Sequence, residues 1–99
     1  MNLRQIEYAI AVAEEASFTR AARRCHTVQS ALSHQIAKLE EELDAPLFER
    51  TSRSVRLTPA GEAFLTAARR AVEATGRIAA EVAAVRGRVQ GVLSVGTIS

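Results

Sequence analysis

The sequence predicts a mainly α domain: three short amphipathic helices, a small two-stranded hairpin and a long terminal helix. Three observations carry that prediction. Apolar residues recur three and four apart in three separate segments before Asp44. Two prolines, Pro46 and Pro59, bracket a stretch in which short apolar runs flank polar loop residues. From Phe64 to Val89, apolar and small residues keep a strict 4-3 spacing.

The first helix runs from about Leu3 to Glu15, where Leu3, Ile6, Ile10 and Ala13 form a stripe widened by Ala9 and Val12. Ser17 and Thr19 offer capping oxygens for a second, two-turn helix carrying Phe18, Ala21, Ala22 and Cys25 on one side. His26-Thr27-Val28 interrupts the pattern, and Leu32, Ile36, Leu39 and Leu43 restart it in a third helix from about Gln29 to Leu43. Asp44 tolerates a left-handed terminal position, and Pro46 biases Ala45 away from helix, so a turn comes next. Residues 47–50 and 54–57 then predict two very short strands about Thr51-Ser52-Arg53. Thr58-Pro59 starts the last helix: threonine caps, proline fits the first helical position, and Glu62 lies near the positive dipole end.

That helix carries Phe64, Ala68, Ala71, Thr75, Ile78, Val82, Val85 and Val89 in the a/d rhythm of a coiled-coil seam. Run to about Arg88 it would measure roughly 45 Å, too long to lie wholly on a three-helix body, so a second copy of the chain is the expected partner. Gly87 and Gly91 punctuate the end of the helical pattern, and residues 92–98 look like a strand with nothing in the chain to pair with. The chain is therefore expected to be the front of a longer protein whose second domain opens near Gly91.

Composition narrows the functional classes. Ninety-nine residues, 47% hydrophobic and 24% charged, suit one small globular domain with a helical extension. There is no apolar run long enough to span a bilayer and no signal-peptide pattern, so a cytoplasmic location is expected. Cys25 is the only cysteine, and it shares the apolar phase of Phe18 and Ala22, which predicts a buried structural thiol. Cys25, His26 and His34 lie on separate elements, so neither metal nor cofactor is expected. An enzyme is excluded for want of parts: no catalytic triad, glycine-rich phosphate loop or isolated carboxylate pair is visible.

Charge is polarised rather than abundant. The whole chain has 13 Lys+Arg against 11 Asp+Glu. Arg20, Arg23, Arg24 and Lys38 fall in one acid-free stretch and Arg50, Arg53 and Arg56 in another, whereas Glu40, Glu41, Glu42 and Asp44 cluster at the end of the third helix. That separation suits a docked duplex with phosphates at the basic side, some of the arginines pairing instead with the body's own acids. Opposite Leu32, Ile36 and Leu39, the third helix bears Gln29, Ser30, Ser33, His34 and Lys38, short hydrogen-bonding groups able to read base edges. Glutamine in particular can pair at two points with adenine. The rival is a coiled-coil protein-interaction module, for which the 4-3 seam alone would suffice; it leaves the polar helix face and the Arg-flanked hairpin unexplained.

Several ordered blocks closely resemble the LysR-type transcriptional regulators. They are residues 17–22 (SFTRAA), 29–36 (QSALSHQI), 39–43 (LEEEL), 46–50 (PLFER) and 57–61 (LTPAG). The resemblance runs from Leu3 to about Arg88 and implies a winged helix-turn-helix, with a small two-stranded wing, over residues 1–58. A linker helix that pairs with its copy would follow over residues 59–90, and residues 91–99 would begin an effector-binding regulatory domain. It implies sequence-specific binding of double-stranded DNA by a homodimer at an interrupted inverted repeat, and regulation of transcription at the nucleoid. Gln29, Ser30, Ser33 and His34 become major-groove readers, Arg53 the wing-tip contact, and Arg50 and Thr58 phosphate-side contacts. Any small-molecule effector would bind the regulatory domain. Three positions depart from the usual pattern: Val28 replaces a Ser or Thr cap, His34 an Arg, and Asp44 a Gly. Thr27 is the expected substitute cap, one residue earlier, and His34 predicts weaker or pH-sensitive binding.

Overall fold

The computed structural model describes the backbone of residues 1–98 and the side chains of residues 1–88. Its elements run in the order α1 (Leu3–Glu15), α2 (Phe18–Arg24), α3 (Gln29–Leu43), β1 (Phe48–Arg50), β2 (Val55–Leu57) and α4 (Pro59–Ile98). The two strands pair antiparallel, with Phe48 opposite Leu57 and Arg50 opposite Val55.

Each helix end has a local cause. Asn2 caps α1 and forms a reciprocal capping box with Gln5, satisfying two amide groups at once. Ser17 caps α2 by accepting from the Arg20 amide. Both α2 and α3 close with a left-handed residue where glycine is usual: His26 (φ 56°) and Asp44 (φ 53°). After α2, the amides of His26 and Thr27 turn back to Arg23 and Ala22 carbonyls at 3.2 and 2.9 Å, which fixes the sharp angle into α3.

The core lies where α1, α2 and α3 meet beneath the wing. Val12, Ala21, Leu32, Ile36 and Leu39 are fully excluded from solvent, and Leu47 and Phe48 close the layer from the hairpin. Cys25 packs at its margin and is half-buried, not fully buried as expected, because it terminates α2 at the edge of the cluster. Burial pushes its thiol pKa up, which keeps it protonated and a poor nucleophile.

Two sequence expectations for α4 are corrected. The first part of the expected seam is covered largely by the chain's own body: Ala68 is buried, Ala71 half-buried, and Phe64 packs against the core. The physical reason is that α1 has its own apolar face to cover, and the start of α4 lies across it. Beyond Val72 every described side chain is exposed, including Ile78, Val82 and Val85. Thr75 is exposed too, its hydroxyl turned back onto the Val72 carbonyl. The Val89 side chain lies outside the described residues. The second correction is at residues 92–98, which continue α4 instead of forming a strand. A strand would have to find a partner edge for its amides, whereas helix satisfies them within the segment. At 40 residues, α4 is about 60 Å long.

Candidate nucleic-acid interface

Helix α3 presents two faces. Leu32, Ile36 and Leu39 anchor it in the core, and on the opposite side Gln29, Ser30, His34 and Lys38 are exposed, with Ser33 half-buried between them. The helix begins at Gln29 with Val28 in the cap position and no side-chain cap. Thr27 does not substitute: the helix starts at Gln29, with Val28 and not Thr27 in the cap position. The first turn of α3 therefore keeps amide groups available to a ligand, and an uncapped helix start favours anions.

The wing stands beside this helix start. Thr51 holds the turn: its hydroxyl accepts from the Ser54 and Arg53 amides at 3.0 and 3.3 Å, and its own amide reaches the Ser54 carbonyl at 2.9 Å. Arg53 is thereby carried at the exposed tip. Arg50 sits over Phe18, guanidinium carbon 3.4 Å from the ring centroid, and Phe18 meets Phe48 edge-on at 5.9 Å. This stack fixes the height of the wing above α2 and leaves the edge of the Arg50 guanidinium to solvent. Between wing and helices runs a groove of about 380 Å³ lined by Thr19, Arg20, Gln29, Arg50 and Arg53 among others.

Electrostatics sort the arginines. Arg24 binds Glu14 at 2.7 Å and Glu15 at 3.3 Å, Arg69 reaches Glu14 at 3.3 Å, and Arg20 lies 3.8 Å from Glu15. The Arg24 guanidinium, helped by Arg69, holds the Glu14 carboxyl below the usual carboxylate range, and Glu14 in turn raises the Arg24 pKa. Arg23, Arg50, Arg53 and Arg56 are exposed and in no ion pair among the described residues. Phosphates would meet a positive surface that the protein itself has not neutralised.

Of the residues singled out from sequence, Gln29, Arg50 and Arg53 line one groove, and Ser30, Ser33 and His34 continue the same outward side of α3. Thr58 does not join them. It is 8% exposed, and its hydroxyl donates to the Pro46 carbonyl at 2.6 Å and accepts from the Gly61 amide at 2.9 Å. Capping α4 and tying it to the wing leaves it nothing to offer a phosphate. Sequence reasoning missed three supporting residues: Thr19, bonded to Gln29; Glu40, whose carboxylate holds the start of β1; and Gly61, against which the Leu47 backbone lies. Each acts across a tertiary contact that carries no periodic signal.

The family model described as "Bacterial regulatory helix-turn-helix protein, lysR family" matches residues 3–62. This chain belongs to the lysR family. It is 48% identical over 88 residues to the HTH-type transcriptional regulator ClcR of Pseudomonas putida, covering 89% of this chain and 28% of that protein. It is 43% identical over 99 residues to the DNA-binding transcriptional dual regulator OxyR of Escherichia coli, covering 99% and 32%. The chain thus spans about a third or less of the length of these LysR-family relatives. Among solved structures, the CbnR DBD-DNA complex superposes with a TM-score of 0.82 at 42% identity, over 86% of this chain and 98% of that one. The BenM DBD/benA site 1 DNA complex matches with a TM-score of 0.82 at 40% identity, over 86% and 96%. The fold is accordingly the winged helix-turn-helix of LysR-family DNA-binding domains, with α2 and α3 as the helix pair and the hairpin as the wing. The family is one of regulators, not enzymes.

Proposed function

We propose that this chain is the portion of a LysR-type transcription regulator that binds double-stranded DNA sequence-specifically as a homodimer. The observation that carries the reading is the outward face of α3, with Gln29, Ser30, Ser33 and His34 beside a groove flanked by the exposed Arg50 and Arg53. A helix with short polar groups on its free face fits the major groove, and the wing arginines fall toward the adjacent backbone. The similar CbnR and BenM structures are complexes with DNA, which supports the same assignment.

Residues 1–58 form the reading unit, and residues 59–90 join two copies. Ile78, Val82 and Val85, 59%, 54% and 48% exposed on one side of α4, supply the stripe for that pairing. Residues from 91 onward lead toward the regulatory domain, where any effector binds. Two α3 helices held apart by paired α4 helices would enter successive major grooves about 34 Å apart and select an interrupted inverted repeat. No cofactor is required, and no helix among the described residues is long and apolar enough to cross a membrane. The setting is the cytoplasm, at the nucleoid.

Selection of bound duplexes from a random pool, followed by salt titration of the winner against a scrambled duplex, tests the reading. Enrichment of an inverted repeat with half-sites one helical turn apart supports it; equal binding to every duplex or none refutes base reading and favours the coiled-coil module. Gln29→Ala and Ser33→Ala should each relax preference at particular base positions by about 1–3 kcal/mol. Arg53→Ala should weaken all duplexes alike and reduce the salt slope by about one. In sedimentation experiments Val82→Glu should shift dimer to monomer, since it places like charges on the two copies of one apolar stripe; an unchanged dimer would move the interface elsewhere.

A further inference from the structure

Thr19 and Gln29 lie ten residues apart on α2 and α3, both exposed at the groove, and the Thr19 hydroxyl donates to the Gln29 amide oxygen at 2.9 Å. Thr19 is the stiffer partner, because its β-branched side chain is restricted at the first torsion, and it sits within a helix whose Phe18 is buried beside it. Gln29 is the adaptable partner, with three rotatable bonds and an amide that carries an acceptor at one corner and two donors at the other. The bond removes both freedoms at once. It fixes the side chain before any DNA arrives, and it leaves the NH2 and the second lone pair of the oxygen for a ligand.

The geometry points to Thr19 as a positioning residue that presents the Gln29 amide to the major groove in one orientation. The inference rests on the proposed role of Gln29 as a base contact. An amide oxygen has two lone pairs, so with Thr19 bound it still accepts from an adenine amino group while the NH2 donates to N7. Guanine offers two adjacent acceptors and thymine one, whereas cytosine offers only a donor. Gln29 held by Thr19 therefore meets each base edge in one orientation, and the preference at its position depends on the Thr19 hydroxyl.

The test uses the 99-residue chain and duplexes built on its selected site. Gln29→Ala first identifies the base position that Gln29 reads, as the one whose preference it relaxes. Wild type should prefer one base there by about tenfold. Thr19→Val keeps the shape and deletes the hydroxyl; it should lose most of that preference at this position alone, with scrambled-duplex affinity and salt slope unchanged. Thr19→Ser, which restores a hydroxyl, should recover it, and Thr19→Val combined with Gln29→Ala should discriminate no worse than Gln29→Ala. A Thr19→Val chain that keeps the full preference overturns the proposal. So does a Thr19→Val chain that weakens every duplex alike with a shallower salt slope, the mark of a direct phosphate contact. If Gln29→Ala relaxes no position, Gln29 reads no base, and the assignment of that residue falls together with this one.

Discussion

Gly61→Ala should lower the thermal midpoint of this chain by about 10 °C or more, an effect out of proportion to one methyl group. Built on the observed backbone, that Cβ would stand 2.1 Å from the Leu47 carbonyl oxygen and 2.9 Å from Leu57 Cδ2. The carbonyl is not free to yield. The Leu47 carbonyl accepts the Thr58 amide at 3.0 Å, and the Leu47 amide is held by Glu40 at 2.6 Å. Relief would require α4 to lift from the wing, breaking the Thr58 cap and opening the layer beneath Leu47, which is 1% exposed. Overpacking of a well-filled site costs about 1–3 kcal/mol, and a clash with pinned backbone belongs at the upper end. Gly76→Ala supplies the contrast: nothing lies within 4 Å of its added Cβ, so the higher helix propensity of alanine should stabilise by up to about 1 kcal/mol. Paired thermal melts of the two variants decide the matter, and equal shifts would mean that the close approach at Gly61 is not a constraint on folding.

The same region shows how far the sequence could be read. Periodicity and cap chemistry placed α1 and α3 at their observed limits, and a two-turn α2 between them, because those signals are local: a stripe every three or four residues, Ser17 before α2, Asp44 in the left-handed position after α3. They could not say what a stripe touches. Phe64, Ala68 and Ala71 share one rhythm with Ile78, Val82 and Val85, yet the first group covers its own α1 and the second stands in solvent. A heptad pattern fixes a face of a helix and leaves its partner open. Thr58 illustrates a related limit: one hydroxyl was assigned both a cap and a phosphate, and only its second bond, to the Pro46 carbonyl twelve residues away, shows that it has none to spare. Among the candidate DNA contacts, Gln29, Ser30, Ser33 and His34 were legible because they oppose a core stripe on the same helix. Thr19 was not, since nothing in the spacing of α2 indicates which residue of α3 it meets. His26 was invisible as a left-handed residue because the usual marker of that position, glycine, is absent from it.

Glu40→Ala should be the second most damaging change, and one that joins stability to DNA affinity. Glu40 lies in the last turn of α3 and turns one carboxylate oxygen toward β1, where it accepts the amides of Leu47 and Phe48 at 2.6 and 3.3 Å. Both of those residues are buried, so deletion of the carboxylate strands two amides where water has little access. A buried group left unsatisfied costs about 1–3 kcal/mol, and bonds to a charged acceptor exceed neutral ones, which puts the loss near 3 kcal/mol. Glu40→Gln should fall between, since an amide oxygen can accept but carries no charge. The neighbouring Glu41→Ala is exposed and should change stability by less than about 0.5 kcal/mol. Denaturant melts of the three variants measure this order, and equal losses at positions 40 and 41 would show that the carboxylate does not hold the wing. Phe48 also meets Phe18, on whose ring Arg50 rests, so a wing released at Glu40 moves the arginines that flank the groove. Under conditions where the variant remains folded, Glu40→Ala should therefore weaken binding to every duplex in the manner of Arg53→Ala, while leaving the base preferences set by α3 in place. A change in base preference instead would mean that Glu40 steers the recognition helix and not the wing.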